Sequence, residues 1–173
     1  MPKEIELTKG HKAIVDDDDF DWVSQFKWIS TSNGKRVRAG RWTRNEDGER
    51  KFIFLYRSIM EKHGLMAPDR PEIDHINGDS LDDRKSNLRC CTRAENLRNR
   101  WGSSMSHTGV KGVSWNAANR NWNAQIGLDG RKIHLGTFST IEEAKKAYDR
   151  AAAGLFGDFV RSGDHRGDRV ELP

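Results

Sequence analysis

The chain has 173 residues, enough for one domain of ordinary size or for two small ones. Its 30 Lys and Arg residues against 26 Asp and Glu residues give a formal net charge of +4, far less basic than a structural protein that coats nucleic acid. No segment resembles a signal peptide and no apolar run is long enough for a membrane span, so we expect a soluble, intracellular protein without membrane association.

Charge is distributed unevenly along the chain. Residues 69–83 hold six acidic residues and one basic residue, whereas residues 84–101 hold six basic residues and one acidic residue. An acidic segment directly before a basic one suits a site that holds a cation beside a polyanion such as a nucleic-acid backbone. Charge alone leaves a second interpretation open, a solvated surface with patches of either sign.

The two cysteines, Cys90 and Cys91, are adjacent. On a strand their side chains point to opposite faces, so they predict neither a disulfide nor a pair of zinc ligands, and a reducing compartment fits them. The six histidines likewise have no spacing typical of a structural zinc site.

The N-terminal part of the chain predicts a β-rich region. Residues 4–15 predict two short strands around a turn at Gly10, and the aspartates of "DDDDFDW" predict the start of a helix. This helix is expected to place Phe20, Val23 and Phe26 on one face.

A hairpin is predicted next, because Asn33-Gly34 is a strong signal for a tight turn. In the strand that follows it, apolar residues alternate with Arg36 and Arg38, which leaves one basic face. Asp47-Gly48 predicts another turn, before the strand "RKFIFL" and a short helix over about residues 56–63.

The middle of the chain predicts a compact strand-loop-strand-helix unit over about residues 72–101. "EIDHI" predicts a short strand, residues 77–84 a loop, and "NLRCCT" a second strand. Thr92 and Glu95 form a capping box that predicts the start of the helix "RAENLRNRW". The small polar residues 102–107 predict a linker.

Residues 108–164 predict three strands and one helix, followed by a charged tail at residues 165–173. The strands are "VKGVSW", "NWNAQIG" and "RKIHLGTF", with a turn at Asp129-Gly130 between the last two. The helix is expected to begin after Ser139 or Thr140 and to end at Gly157.

Periodicity predicts which side chains of this module form its core. On the helix, one apolar face is expected to contain Ile141, Ala144, Ala147, Tyr148, Ala151 and Leu155. On the sheet, alternation predicts that the residues facing the helix are Trp122, Ala124, Ile126, Ile133 and Leu135. The opposite face is then polar and consists of Asn121, Asn123, Gln125, Lys132 and His134.

The adjacent Asp74 and His75 can be a metal ligand beside a general base, or two polar residues at a turn. Their place on a strand, with Asn87 at the start of the next strand and Asn96 just past the first turn of the helix, favours the first interpretation. "FLYRSIM" followed by "IDHINGDSLDDRKSNLRCCTRAEN" resembles the HNH nuclease motif, also called the His-Me finger, over about residues 51–101. It is most similar to the HNH homing endonucleases of phages and mobile introns.

The resemblance implies a role for each residue of the motif. His75 matches the general base, Asn87 the asparagine that holds the loop closed and keeps His75 oriented, and Asp74 with Asn96 the ligands of one divalent cation. Asn96 and Tyr56 stand where many relatives have histidine. Oxygen donors favour Mg²⁺ or Mn²⁺ over zinc or nickel.

The other acidic residues of the loop have a simpler interpretation. Asp79, Asp82 and Asp83 are expected to form turns and to be solvated, since a two-metal site needs more carboxylates aimed at one point. "DHINGD" is superficially similar to a calcium-binding loop, but Gly78 is its fifth residue rather than its sixth and the bidentate Glu is missing.

The elements "LGTF", "EEA" and "AYDRAA", in this order, resemble the ethylene-response-factor (APETALA-two) type of DNA-binding domain. The resemblance implies that the exposed sheet face lies in the major groove, where amide side chains can read adenine and lysine can read guanine or hold phosphate. Ser114 and Gly127 stand where that family has arginines. The alternative interpretation is a polar sheet face that binds no partner. The expected DNA contacts are Lys111, Ser114, Trp115, Asn123, Gln125, Lys132 and His134, of which Trp115 could belong to the core instead.

These patterns together predict an α+β protein with a nuclease in residues 1–101 and a DNA-binding domain in residues 108–164. We expect a site-specific endonuclease that binds double-stranded DNA, uses one Mg²⁺ or Mn²⁺ ion and acts in the bacterial host of a phage or mobile element. Because the chain holds one such constellation, a monomer is expected to nick one strand; a homodimer that cuts both strands and a non-cleaving DNA-binding regulator are the alternatives. Further DNA contacts are expected at Arg36, Arg38, Arg89 and Arg93.

Overall fold

The computed structural model describes residues 1–34, 36–99 and 108–160. This part of the chain has the predicted α+β architecture, with small antiparallel sheets and short helices. One compact unit comprises Met1–Asn96, and a second begins at Leu97. Within the described ranges, no helix has the length and apolar character needed to cross a membrane. The predicted linker at 102–107 and the tail at 165–173 lie outside the described residues.

The first unit contains three antiparallel sheets. Their strands are β1 (Lys3–Glu6) with β2 (Lys12–Val15), then β3 (Ile29–Asn33), β4 (Arg36–Arg44) and β5 (Arg50–Phe54), then β6 (Glu72–His75) with β7 (Leu88–Cys91). The helices are α1 (Asp17–Val23), α2 (Leu55–Lys62) and α3 (Arg93–Arg98), the last of which crosses the boundary between the units.

Local signals in the sequence located these elements well. The predicted hairpin at Asn33-Gly34 joins β3 to β4. The capping box at α3 is also confirmed, because the Thr92 N–H donates to the Glu95 carboxylate at 2.8 Å and the Glu95 N–H donates to the Thr92 hydroxyl at 3.3 Å.

Helix α1 ends at Val23, before Phe26, the last residue of its predicted apolar face. The indole N–H of Trp28 donates to the carbonyl of Val23 at 2.9 Å, which satisfies a carbonyl at the end of the helix. Phe26 therefore lies beyond α1 and is exposed, with the Arg41 guanidinium 3.9 Å from its ring centroid. The prediction that Phe26 continues the apolar face of the helix was wrong.

The core of the first unit joins its N-terminal strands to the segment between β6 and β7. Its buried residues lie on or next to β1, β2, α1, β3, β4, α2 and β7: Ile5, Leu7, Ala13, Val15, Val23, Trp28, Ala39, Leu55, Ile59, Met60 and Leu88. Leu81, in the predicted solvated loop, packs against this cluster. The loop is thus part of the packed interior.

Backbone hydrogen bonds hold this segment, residues 76–86, against β2; we call it the catalytic loop. The Ile14 N–H donates to the Leu81 carbonyl at 2.7 Å, and the Asp83 N–H donates to the Ile14 carbonyl at 2.8 Å. On the far side, the Ser80 hydroxyl donates to the Val37 carbonyl at 2.6 Å. The prediction that Asp82 and Asp83 are solvated was wrong, because both are buried where the loop lies against β2. Asp79 is exposed and forms a turn, as predicted.

Asp82 supplies the internal cross-links of the catalytic loop. Its carboxylate accepts two hydrogen bonds from the Arg84 guanidinium, at 2.7 and 2.6 Å, and one from the Asn77 amide at 2.8 Å. The bond from Arg84 holds the pKa of Asp82 below its ordinary value of 3.8.

The second unit packs one helix on a three-stranded antiparallel sheet. The strands β8 (Val113–Asn116), β9 (Asn121–Leu128) and β10 (Arg131–Phe138) lie in the order β10-β9-β8, and α4 spans Ile141–Phe156. The predicted turn at Asp129-Gly130 joins β9 to β10, and Thr140 caps α4 in a capping box with Glu143.

Most of the predicted core of this unit is buried. Trp122, Ala124 and Ile126 of β9 pack in one cluster with buried residues of α4. Ile133 is opposite the buried Ile126 and shares its face, as predicted, but it lies on the edge strand β10 and is exposed. On α4 the predicted Ile141, Ala144 and Tyr148 are buried. Ala152 is also buried, whereas Leu155, predicted on the apolar face, is exposed.

Asp82→Asn is expected to destabilise the first unit by about 1–3 kcal/mol at neutral pH, because a buried carboxylate that accepts charge-assisted bonds becomes neutral. Since the pKa of Asp82 is lowered on folding, its carboxylate stabilises the fold above the ordinary value of 3.8, and that stabilisation is lost as pH falls through the lowered pKa. The difference in Tm between parent and variant should therefore shrink in acid.

Thermal unfolding followed by circular dichroism at a series of pH values measures this difference. Asp79→Asn, an equivalent change at an exposed position of the same loop, is the matched control and should leave Tm nearly unchanged. A Tm difference for Asp82→Asn that is equally large at neutral pH and in strong acid would contradict the role given to its charge.

Candidate active site

Asp74 and His75 are the last two residues of β6 and are both buried. The antiparallel register places Asp74 opposite Arg89 and His75 opposite Leu88 on β7. The catalytic loop leaves β6 directly after His75, so its conformation determines what surrounds the imidazole.

Asn87 closes the catalytic loop at both ends. Its amide nitrogen donates to the Asp82 carbonyl at 2.7 Å, and its side-chain oxygen accepts a bond from the Asn77 N–H at 2.9 Å. Its own carbonyl accepts a bond from the Ile76 N–H at 2.8 Å. Asn87 belongs to a 3-10 turn just before β7 rather than to the strand itself, and its bonds are those needed to keep the loop closed.

The Asp74 carboxylate is held by Arg89. The guanidinium donates to Oδ2 of Asp74 through Nε at 3.1 Å and through Nη2 at 2.8 Å. Arg89 was predicted as a DNA contact; in the structure its mostly buried side chain contacts the carboxylate predicted to bind metal. This ion pair compensates part of the cost of burying a charge at Asp74.

Asn96, on α3, is oriented by Glu72 on β6. Its Nδ2 donates to Oε2 of Glu72 at 2.6 Å. An amide that donates through its nitrogen keeps its carbonyl oxygen for an acceptor role or for a cation. A carboxylate from Asp74 and an amide oxygen from Asn96 are hard donors, and this donor set fits Mg²⁺ or Mn²⁺ completed by water and phosphate oxygens.

A second acidic cluster does not compete for this role. In the described part of the chain, the only group of three close His, Cys, Asp or Glu donors is Asp16, Asp18 and Asp19. The ammonium of Lys85 lies among them, 2.6 Å from Asp18 and 3.2 Å from Asp19. These carboxylates are therefore already paired with a cation of the protein itself.

His75 contacts a carboxylate that the sequence interpretation had assigned to solvent. Its Nε2 lies 2.9 Å from Oδ1 of Asp83, which is fully buried. Burial raises the pKa of Asp83, and the bond to His75 opposes that effect. The ring of Tyr56 packs edge-on against the imidazole, with centroids 5.3 Å apart, and burial raises the pKa of Tyr56.

A row of aromatic rings leads from His75 across the β3-β4-β5 sheet. Tyr56 stacks on Phe54 at 5.3 Å, Phe54 contacts Phe52 at 5.4 Å, and Phe52 contacts the exposed Trp42 at 5.1 Å between ring centroids. We call these four side chains the aromatic row. It connects a solvent-exposed sheet face to the general-base candidate.

Arginines flank the aromatic row. On β4, Arg36 and Arg38 share a face with Trp42 because alternate residues of a strand point the same way. The Arg38 guanidinium lies 5.9 Å from the Phe54 centroid, and that of Arg50 lies 4.7 Å from the Trp42 centroid. This arrangement of cations and exposed rings suits a polyanion. Arg93 is exposed at the start of α3.

In the second unit, the sheet register brings most of the predicted DNA contacts to one face. Asn123 is opposite Ser114, Gln125 is opposite His134, and Lys132 is opposite Gly127. These five predicted contacts lie on the face of the sheet that the buried residues of β9 leave outside: Ser114, Asn123, Gln125, Lys132 and His134.

Two other residues of this unit that were predicted to contact DNA have partners within the protein. Trp115 is opposite Trp122 and lies on the core face, with ring centroids 5.0 Å apart, so the register makes it a core residue. The Lys111 ammonium donates to the Arg98 carbonyl at 2.6 Å, near the end of α3.

Asp83 and the aromatic row are the features that sequence reasoning missed. The alternation of Phe52, Phe54 and Tyr56 was a usable signal for a shared face. Nothing in the local sequence distinguishes Asp83 from the exposed Asp79, because the burial of Asp83 depends on Ile14, far away in the sequence.

One protein family and three known proteins are similar in sequence to this chain. The sequence model of the HNH endonuclease family matches residues 57–98. An uncharacterized HNH endonuclease of Acanthamoeba polyphaga mimivirus is 29% identical over 153 residues, 88% of this chain and 74% of that protein. Protein 3.8 of Escherichia phage T7 is 30% identical over 89 residues, 51% of this chain and 73% of that protein.

The third relative is a plant protein. An ethylene-responsive transcription factor-like protein of Arabidopsis thaliana is 32% identical over 96 residues, which are 56% of this chain and 40% of that protein. The family match covers the ββα unit that carries Asp74, His75, Asn87 and Asn96. The viral relatives match over most of their own length. This chain belongs to the HNH endonuclease family.

Proposed function

We propose that this protein is a site-specific DNA endonuclease that hydrolyses phosphodiester bonds by a single-metal HNH mechanism and nicks one strand of its target. The observation that carries the proposal is the buried Asp74-His75 pair at the end of β6, covered by a loop that Asn87 closes. A purely structural turn has no need to bury a carboxylate and an imidazole side by side, since each loses hydration there.

His75 is the general base in this proposal. Its imidazole accepts a proton from the water that attacks phosphorus, because a neutral histidine is the side chain best suited to do so at cellular pH. A general base supplies about 10²–10⁴ in rate, far less than enzymes commonly achieve, so a further source of catalysis is required.

Asp74 and Asn96 are the proposed ligands of one Mg²⁺ or Mn²⁺ ion. When bound, a divalent cation polarises the scissile phosphate and stabilises the departing oxygen. The protein orients the ligands in advance, since Arg89 holds the carboxylate of Asp74 and Glu72 holds the amide of Asn96.

Two surfaces are proposed to bind double-stranded DNA. The first is the arginine-flanked face of the β3-β4-β5 sheet, whose aromatic row leads to His75 and whose cations include Arg36 and Arg38. The second is the polar sheet face of the second unit, which resembles an ethylene-response-factor domain. Its amides and Lys132 are of the types that contact base edges and phosphates.

Strand nicking follows from the number of candidate sites. The described chain has one Asp74-His75-Asn87-Asn96 set. One such site attacks a phosphate in one orientation only, and the two strands of a duplex run in opposite directions, so one site cleaves one strand. Two different DNA-binding surfaces in tandem also suit an asymmetric target. We propose that the protein acts as a homing endonuclease in the host of a phage or mobile element.

The test of the function is cleavage of supercoiled plasmids that carry randomised inserts. In Mg²⁺ or Mn²⁺ the parent protein is expected to yield open circles, and His75→Ala is expected to lose about 10²-fold or more in rate while its DNA affinity stays unchanged. Gel electrophoresis measures the products, and fluorescence anisotropy measures binding.

Retention of cleavage by His75→Ala within about tenfold of the parent would exclude His75 as the base. A parent that binds DNA but never cuts it with either metal would be the non-cleaving regulator. Linear product without an open-circle intermediate, together with a squared dependence on enzyme concentration, would establish a dimer that cuts both strands.

The two DNA surfaces are tested by removing one cation from each. Arg38→Gln and Lys132→Gln should each weaken binding of the target duplex and lower the slope of log K against log salt by about one, as expected for one lost phosphate contact. The matched controls are Lys51→Gln, on the opposite face of the β3-β4-β5 sheet, and Lys146→Gln, exposed on α4. Equal effects of a variant and its control would mean that the face in question does not bind DNA.

A further inference from the structure

We propose that Asp83 is a positioning residue for His75: its carboxylate fixes the orientation of the imidazole and keeps the ring proton on Nε2, so that Nδ1 carries the lone pair that accepts the proton. This inference rests on the proposed role of His75 as general base and adds the residue that prepares it for that role. Its basis is the geometry around the two side chains.

The contact between the two side chains is short and shielded from solvent. Nε2 of His75 lies 2.9 Å from Oδ1 of Asp83, and the Asp83 side chain is fully buried. An ionised carboxylate only accepts hydrogen bonds, so with Asp83 ionised the nitrogen that faces it carries the proton. Which nitrogen of a neutral histidine is basic is set by the partner of the other nitrogen.

The position of Asp83 is fixed by the backbone. Its N–H donates to the carbonyl of Ile14 on β2 at 2.8 Å, and the N–H of Ile14 donates to Leu81 at 2.7 Å. Its neighbour Asp82 is tied to Arg84 by two bonds. The carboxylate is thus presented to His75 by a segment held on both sides, which is the support that a catalytic geometry requires.

The burial of Asp83 works against folding stability. Its Oδ2 has no hydrogen-bond partner, and burial raises the pKa of this carboxyl group. An unsatisfied buried oxygen and a desolvated charge both destabilise the native state. A position that served packing alone would be better filled by an amide or an apolar side chain. Local conflicts of this kind are expected at functional sites, where stability is exchanged for activity.

The experiment compares Asp83→Asn and Asp83→Leu with the parent on a supercoiled plasmid that the parent cleaves in Mg²⁺. The leucine variant should lower kcat about 10²-fold or more, close to the loss in His75→Ala, with KM unchanged within about twofold. The asparagine variant can still accept from Nε2 but no longer enforces the tautomer, so its kcat should lie between those of the parent and the leucine variant. Asp79→Asn, at an exposed position of the same loop, is the matched control and should cleave like the parent.

Two further readouts separate positioning from a structural role. Asp83→Asn should have a Tm equal to or above that of the parent, because it removes a desolvated charge and keeps the contact to His75. The double variant of His75→Ala with Asp83→Leu should be no slower than His75→Ala alone, since residues that act through one another are not additive.

Parental kcat in Asp83→Leu would overturn the inference, and so would a further loss in the double variant or a large fall in Tm for Asp83→Asn. These outcomes can be distinguished from a failure of the proposed function. If His75→Ala cleaves like the parent, the base is misassigned; if His75→Ala is inactive while Asp83→Leu is fully active, only the role of Asp83 is wrong.

Discussion

The closure of the catalytic loop is the constraint on which the rest of the site depends. Asn87 ties the start of the loop to its end, and Ile14 of β2 binds the backbone of Leu81 and Asp83. Without these bonds the segment after His75 would be an ordinary polar turn that water could enter. With them, the end of β6 lies in a mostly dry environment, where electrostatic interactions are stronger than in water.

This closure also explains why the N-terminal strands belong to the nuclease. β2 contributes a backbone edge to the catalytic loop, Asp16 accepts a bond from the Lys85 N–H at 2.8 Å, and the sheet that follows supplies the Val37 carbonyl to Ser80. The same sheet carries the aromatic row and its arginines to the site. A single packed unit therefore joins the chemistry to a surface suited to DNA, whereas a ββα motif alone would have neither its loop support nor this surface.

The sequence predicted those parts of the molecule that depend on local rules. Turn residues such as Asn33-Gly34, the capping boxes at Thr92 and Thr140, and the alternation in β9 all act over a few residues, and the structure has each of them. The failures have a common cause. The burial of Asp83 and the ion pair of Arg89 with Asp74 depend on partners that tertiary packing brings together, and no local pattern specifies them. Strand register likewise decides that Trp115, which the sequence left open between core and DNA contact, lies on the core face.

The most direct test of the central claim, that Asp74 and Asn96 hold one cation beside His75, is an anomalous diffraction measurement on crystals of the protein with a DNA duplex and Mn²⁺. The account predicts one strong peak about 2.1 Å from a carboxylate oxygen of Asp74 and from the amide oxygen of Asn96, the distance typical of small hard cations. A peak at the Asp16-Asp18-Asp19 cluster with none at Asp74, in crystals whose DNA becomes cleaved, would contradict it.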